Sequence, residues 1–375
     1  MEPARAGRGK DHPTQESGLL AAVGTLLDLL RVTPGSGETV RASMAQMDEN
    51  ELVAKCIRHG LSGLAQHELR QGGIALSAQA TTTLKRDAMS IAVTGIRVKK
   101  LLFQAIDALA RHGIVPVLLK GYGLASRCYP DPLYRPMTDV DLLVGSEQME
   151  RAEAALVEIG LKKNAELEEF QLRHHHHLNF YGTLGAVELH FRAISGFGGG
   201  IEGAPLLSRA IESDLEGHRI RYLRPEDELA YLATHATQHL FKGVGWLYDL
   251  KLFIQRYPRL DWSAVIESAR ESGVETPAYF ALWTAQRAMD AQVPDWVLGK
   301  MRPPHWQTWL GHFIFSEARL VDTSFAELKY SWMVAPFLTS DLSRFARASL
   351  YLAWRAPLRK IARHFPQMAP AHWRT

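Results

Sequence analysis

Only two cysteines, Cys56 and Cys128, occur in 375 residues. They can build neither a disulfide framework nor a cysteine-ligated zinc site, and they fit a reducing, cytoplasmic setting. No run of about 18 apolar residues exists, so no membrane span is expected. Residues 1–16 are polar and lack the apolar h-region of a secretory signal; they read as a frayed tail. Charge of one sign is missing too: 43 basic against 40 acidic side chains leave +3, too little to draw the whole chain to nucleic acid or to an acidic partner. There is no internal repeat and no long low-complexity tract. With 46% hydrophobic and 22% charged residues the chain is globular rather than disordered or fibrous, and its length suggests two or three domains.

Apolar spacing predicts helices over 17–32, 50–69 and 76–113, the last stopped at His112-Gly113. The texture then changes. Ile114 to Leu119 reads as a buried strand, Leu124 to Tyr129 as a short helix, 140–144 as a second strand and 147–160 as a helix. Residues 174–181 and 185–191 pair as a hairpin, and Gly196 to Gly200 reads as a glycine-rich loop. From Pro225 to about 355 the pattern is helical almost throughout, broken near 258, 273, 294 and 303–304. The expected organisation is a helical region at 17–112, an α+β core with a small mixed sheet at 113–223, and a helical domain at 224–340. The last segment, 341–375, holds seven basic residues and one acid. Trp354, Leu358, Ile361 and Phe365 there mark one face of a basic amphipathic helix, expected to dock on the body. An anionic membrane surface or a nucleic acid would be the alternative partner, possible but not favoured.

The chemistry concentrates in Lys120 to Val144. A strand running into Lys120-Gly121-Tyr122-Gly123 and then a helix aims backbone N–H groups and a positive helix end at an anion such as phosphate. Asp139 and Asp141 flank Val140, and strand side chains alternate, so both carboxylates share a face. Two such carboxylates repel unless a divalent cation lies between them, and hard oxygen ligands suit Mg²⁺ or Mn²⁺. Lys120 and Arg135 add positive charge for phosphates. Glu188 sits within the apolar, strand-like Val187 to His190; if that strand neighbours 140–144, it completes a three-carboxylate cage.

These residues resemble the bacterial uncharacterised nucleotidyltransferases of the DNA polymerase β-like superfamily. The likeness is carried by Leu119-Lys120-Gly121, Tyr129-Pro130-Asp131, Arg135-Pro136-Met137-Thr138-Asp139-Val140-Asp141-Leu142-Leu143-Val144 and Val187-Glu188-Leu189-His190. It extends to His235-Ala236-Thr237-Gln238-His239 and Trp246-Leu247-Tyr248-Asp249-Leu250. The resemblance implies a nucleotidyltransferase core in which Asp139, Asp141 and Glu188 are the catalytic, metal-binding carboxylates and Lys120, Gly121, Gly123 and Arg135 bind an NTP. It departs at Tyr122, where the superfamily usually has a small residue that helps hold the triphosphate. The expected activity is Mg²⁺-dependent transfer of an NMP group from an NTP to a hydroxyl of an unidentified acceptor, a small molecule, peptide or natural product. The alternatives are a toxin-like transferase acting on tRNA or protein, and a non-catalytic nucleotide-binding module.

Two histidine groups stand outside that set. His174 to His177 alternate faces if extended, so at most two point towards Glu188; an exposed edge strand is the preferred reading. His235 and His239 share a helix face with no evident third ligand, which favours a polar wall closing over the site, with Asp249 nearby, over a zinc pair.

Overall fold

The computed structural model describes residues 26–31, 48–163, 176–196, 199–241 and 243–321, with isolated positions 338, 339, 343 and 346. The N-terminal tail and the basic amphipathic helix expected over 354–365 lie outside the described residues. Of the first expected helix, residues 26–31 are described as helical, with Leu26, Leu27, Leu29 and Leu30 buried.

The expected helix over 50–69 is two, Glu49–Arg58 and Ser62–Gln71, because the chain turns at Gly60 with φ +68°. The long helix, Ala78–Arg111, starts where the Ser77 hydroxyl accepts from Ala80 N and ends before Gly113. It buries Leu84, Val98, Leu101, Leu102, Ala105, Ile106 and Leu109, at helical spacing.

Among the described residues nine strands follow: β1 Val117–Leu118, β2 Asp139–Leu143, β3 Lys162–Lys163, β4 His177–Gly182, β5 Gly185–His190, β6 Arg192–Gly196, β7 Gly199–Glu202, β8 Ile211–Leu215 and β9 His218–Tyr222. Seven form one mixed sheet in the order β3-β4-β5-β2-β1-β9-β8, which makes the fold α+β as expected. Within it β2 runs parallel to β5 and antiparallel to β1. The β4–β5 hairpin closes through Gly182 and Gly185. Two expectations change. The strand over 114–119 contracts to two residues, since Pro116 has no N–H to offer, although its carbonyl accepts from Arg221 N. The supposed glycine-rich loop at 196–200 is the tip of a β6–β7 ribbon, with Gly196 opposite Gly199.

Alternation along the strands separates two cores. Leu118, Val140, Leu142, Val187, Leu189 and Ile220 pack with the Ala78–Arg111 and Met149–Glu158 helices. Val117, Leu119 and Leu143 face the other way, into a core shared with helices Pro225–Gln238, Gly245–Arg256, Trp262–Glu271 and Glu275–Met289. Those helices end near Pro258, Gly273 and Pro294, where the sequence is punctuated. Among the described residues no helix is long and apolar enough to cross a membrane.

One buried ion pair ties the sheet block to the helical array. Arg127, on helix Gly121–Cys128, donates to Glu228 Oε1 at 2.6 Å and Oε2 at 3.0 Å, and to Tyr257 Oη at 3.0 Å. Its guanidinium also lies 3.8 Å over the Tyr222 ring. Glu228 is fully buried, so removing the arginine strands a carboxylate in the core. Arg127→Met is expected to lower the unfolding free energy by about 3–5 kcal/mol in urea titrations at neutral pH. An unchanged midpoint would show that the pair does not hold the two parts together.

Candidate active site

The site opens where β1 leaves the sheet. Lys120 precedes helix Gly121–Cys128, and Gly121 has φ +63°, the left-handed region that glycine enters without strain. Gly123 serves a different need: a Cβ there would lie 3.0 Å from Leu118 and 3.2 Å from the Tyr222 ring, so glycine lets the helix pack on the sheet. Tyr122 turns away from the site into the opposite core, where its hydroxyl donates to Glu216 Oε1 at 2.7 Å.

The carboxylates come together through register. Asp141 pairs with Glu188 across the parallel β2–β5 ladder, while Val140 and Val187 pair on the opposite face. Lys120 Nζ reaches Asp141 Oδ2 at 2.6 Å and Asp139 Oδ1 at 3.8 Å. His190, two residues beyond Glu188, places Nε2 3.2 Å from Asp141 Oδ1 and 3.6 Å from Glu188 Oε2. His177 places Nε2 3.7 Å from Glu188 Oε1.

These neighbours set the ionisation. Burial would raise the Asp141 carboxyl, but Lys120 and the His190 hydrogen bond outweigh it and hold the group well below the ordinary carboxylate range. Burial would lower Lys120 and His190, but the carboxylates around them push both upward. Asp139 differs: burial, reinforced by the Asp141 charge, pushes it up to about 6. Asp139 and Asp141 thus carry unequal charge strain on one strand.

A cavity of about 490 Å³ opens beside this cluster. Lys120, Gly121, Asp139, His235, His239 and Trp246 are among its walls. Burial, then the nearby Lys120 charge, hold His235 well below the ordinary imidazole range, so it is neutral at physiological pH. The His235 and His239 rings lie 4.7 Å apart, tilted to each other, and both pack against Trp246; neither joins a metal-ligating group of three among the described residues. Arg135 also lines the cavity, and three of its nitrogens are hydrogen-bonded within the protein. Nε and Nη2 hold Asp249 at 2.8–3.2 Å and Nη1 reaches Pro136 O at 3.3 Å. Tyr129 adds a 2.7 Å hydrogen bond to the same Asp249 oxygen. These bonds fix Arg135 in the cavity wall.

The reading of the histidine run also changes. β4 is flanked by β5 and, over Phe180 and Tyr181, by β3, so it is no exposed edge strand. His176 and His177 are half-buried beside Glu188 and His190; His174 and His175 lie outside the described residues. His190 has no place in the sequence-based set, although the two-residue spacing that pairs Asp139 with Asp141 applies equally to Glu188 and His190. The burial of Cys56 and Cys128 pushes both thiols up to about 12, consistent with inert core residues.

Asp141, Glu188 and His190 present ligand atoms all within 4.8 Å of one another. Together with the partly exposed Asp139, these donors fit a divalent cation. A glycine turn with an inward lysine, a carboxylate pair and an in-register carboxylate on the next strand define a class of protein: a mixed-sheet α+β fold with carboxylates gathered beside a lysine-bearing turn at one cleft. The chain belongs to the uncharacterised nucleotidyltransferase family, whose sequence profile matches residues 45–290. Among curated proteins none matches the chain.

The unequal strain separates the two aspartates by experiment. In metal-free protein the raised Asp139 carboxyl binds its proton more tightly folded than unfolded. Its contribution therefore falls as pH rises from the ordinary 3.8 to about 6. Asp139→Asn is expected to be more stable than the parent at pH 7, by up to about 3 kcal/mol, and equal to it near pH 3. Asp141→Asn leaves buried Lys120 without its closest partner and is expected to cost about 3–5 kcal/mol. Urea titrations across that pH range measure both, and two variants of equal stability would refute the assignment.

Proposed function

We propose that the protein is a Mg²⁺-dependent nucleotidyltransferase that moves an NMP group from an NTP to an acceptor hydroxyl, in a reducing, cytoplasmic setting. The observation that carries this reading is the alignment of Asp139, Asp141 and Glu188 on one face of two parallel strands, beside a lysine-bearing glycine turn and a cavity. Asp139 and Asp141 would hold the Mg²⁺ (or Mn²⁺) that accompanies the triphosphate. That ion would neutralise phosphate charge and fix its geometry.

The chain's own residues supply the rest. Lys120 offers a fixed ammonium to the phosphates, and the turn at Gly121 offers backbone N–H groups at the start of a helix. Glu188 faces the same cleft, where it can serve as a ligand or take the proton of the attacking hydroxyl. Neutral His235 and the Trp246 ring line the side where an acceptor would enter. A cavity of about 490 Å³ is in the range of small-molecule sites, which supports a small or slender acceptor over a folded protein or a duplex. The tRNA- or protein-modifying alternative rests on the basic segment 341–375, and the non-catalytic alternative on retained cation binding without turnover.

Incubation with each labelled NTP, Mg²⁺ and a cell extract is expected to yield a labelled acceptor. Asp139→Ala and Lys120→Ala should each lower the rate by roughly a hundredfold or more, as loss of a charge-stabilising group does. Full transfer by a folded Asp139→Ala protein would refute the site.

A further inference from the structure

The cluster around Glu188 contains more nitrogen than a magnesium site uses. Mg²⁺ takes oxygen ligands, whereas imidazole favours zinc, cobalt, nickel and their neighbours. Three imidazoles, His176, His177 and His190, present ligand atoms within 4.8 Å of one another. Their ring centroids form a triangle with sides of 4.4, 4.9 and 5.3 Å.

The separations from the two rings to the neighbouring carboxylate oxygens approach those around a tetrahedral ion. With metal–ligand bonds of about 2.0–2.1 Å, neighbouring ligand atoms stand about 3.3–3.4 Å apart. Here His190 Nε2 lies 3.2 Å from Asp141 Oδ1 and 3.6 Å from Glu188 Oε2, and His177 Nε2 lies 3.7 Å from Glu188 Oε1. Small side-chain shifts would close these edges onto one ion.

Outer partners orient the rings as metal-bound histidines require. His190 Nδ1 lies 3.3 Å from the Arg192 carbonyl, which can only accept, so Nδ1 carries the hydrogen. Nε2 is then the nitrogen that faces the two carboxylates, where a bound cation could take the place of its hydrogen. His176 Nδ1 is held by Ser195 Oγ at 2.7 Å, and the Ser195 carbonyl accepts from Gln238 Nε2 at 2.9 Å. The Asp141 carboxylate faces both ways: Oδ1 towards His190, Oδ2 towards Lys120.

We propose that His176, His177 and His190, with Glu188 placed to complete the set, form a site for a borderline divalent transition ion such as Zn²⁺, separate from the Asp139–Asp141 position that suits Mg²⁺. The site does not depend on nucleotidyl transfer, and binding alone tests it.

Tag-free, full-length protein stripped with a chelator is titrated with Co²⁺, a spectroscopic substitute for Zn²⁺. One equivalent is expected to produce the visible ligand-field band of a low-coordinate site, erased by Zn²⁺ and unaffected by excess Mg²⁺. His177→Ala and His190→Ala should weaken Co²⁺ binding at least roughly 10–100-fold. Asp139→Asn should leave the band in place. Circular dichroism checks that each variant is folded; if His190→Ala is not, half-buried His177→Ala decides the matter. No band in the parent protein would overturn the proposal. So would displacement by Mg²⁺, loss of the band in folded Asp139→Asn, or a band that survives folded His177→Ala or His190→Ala, which would place the ion elsewhere on the protein. An intact band in protein that transfers no nucleotide would overturn the functional reading and leave this one standing.

Discussion

Asp141 and Glu188 stand opposite each other on adjacent parallel strands, and most of what surrounds them offsets the repulsion that this register creates. A fully desolvated carboxylate is among the costliest groups to bury. Lys120 on one side and His190 on the other let Asp141 stay ionised inside the fold. The glycine turn delivers Lys120, and β5 delivers His190 two residues after Glu188. The carboxylates are thus pre-assembled before any ligand arrives, with part of a cation's electrostatic work done by protein charges. Such an arrangement would leave little to reorganise on entry of the proposed ion and nucleotide.

The same logic fixes the walls. Asp249 draws Arg135 and Tyr129 onto the Gly245–Arg256 helix, and Glu228 draws Arg127 and, through it, Tyr257 onto the Pro225–Gln238 helix. Apolar contact alone would join the sheet to the helical array in many nearly equivalent ways. Bidentate arginine–carboxylate pairs have a fixed geometry, so they select one placement of the cavity relative to the carboxylates. Arg135 is held in the cavity wall by its pair with Asp249.

Several of these features are legible in the order of residues. Alternation alone places Asp139 and Asp141 on one face, and glycines mark the β4–β5 hairpin. Pro258, Gly273 and Pro294 punctuate the helical array. His190 obeys the same alternation but stands in a short apolar segment, where it reads as part of a strand pattern. The histidine run reads as an edge because the pairing of β4 depends on a two-residue strand, β3, with no pattern of its own. Arg135 and Tyr122 take their apparent roles from their neighbours in sequence, whereas their partners, Asp249 and Glu216, lie 114 and 94 residues away.

What the sequence alone determined is local chemistry: which donors exist, and which of them share a strand face or a helix face. Backbone periodicity makes that unavoidable, since side chains two apart on a strand must point the same way. Tertiary structure alone decided which faces meet. The parallel register setting Asp141 against Glu188, the bond of Tyr122 to Glu216, and the gathering of His176, His177 and His190 depend on contacts across long stretches of chain. Only the packed core supplies the free energy to close those contacts against chain entropy.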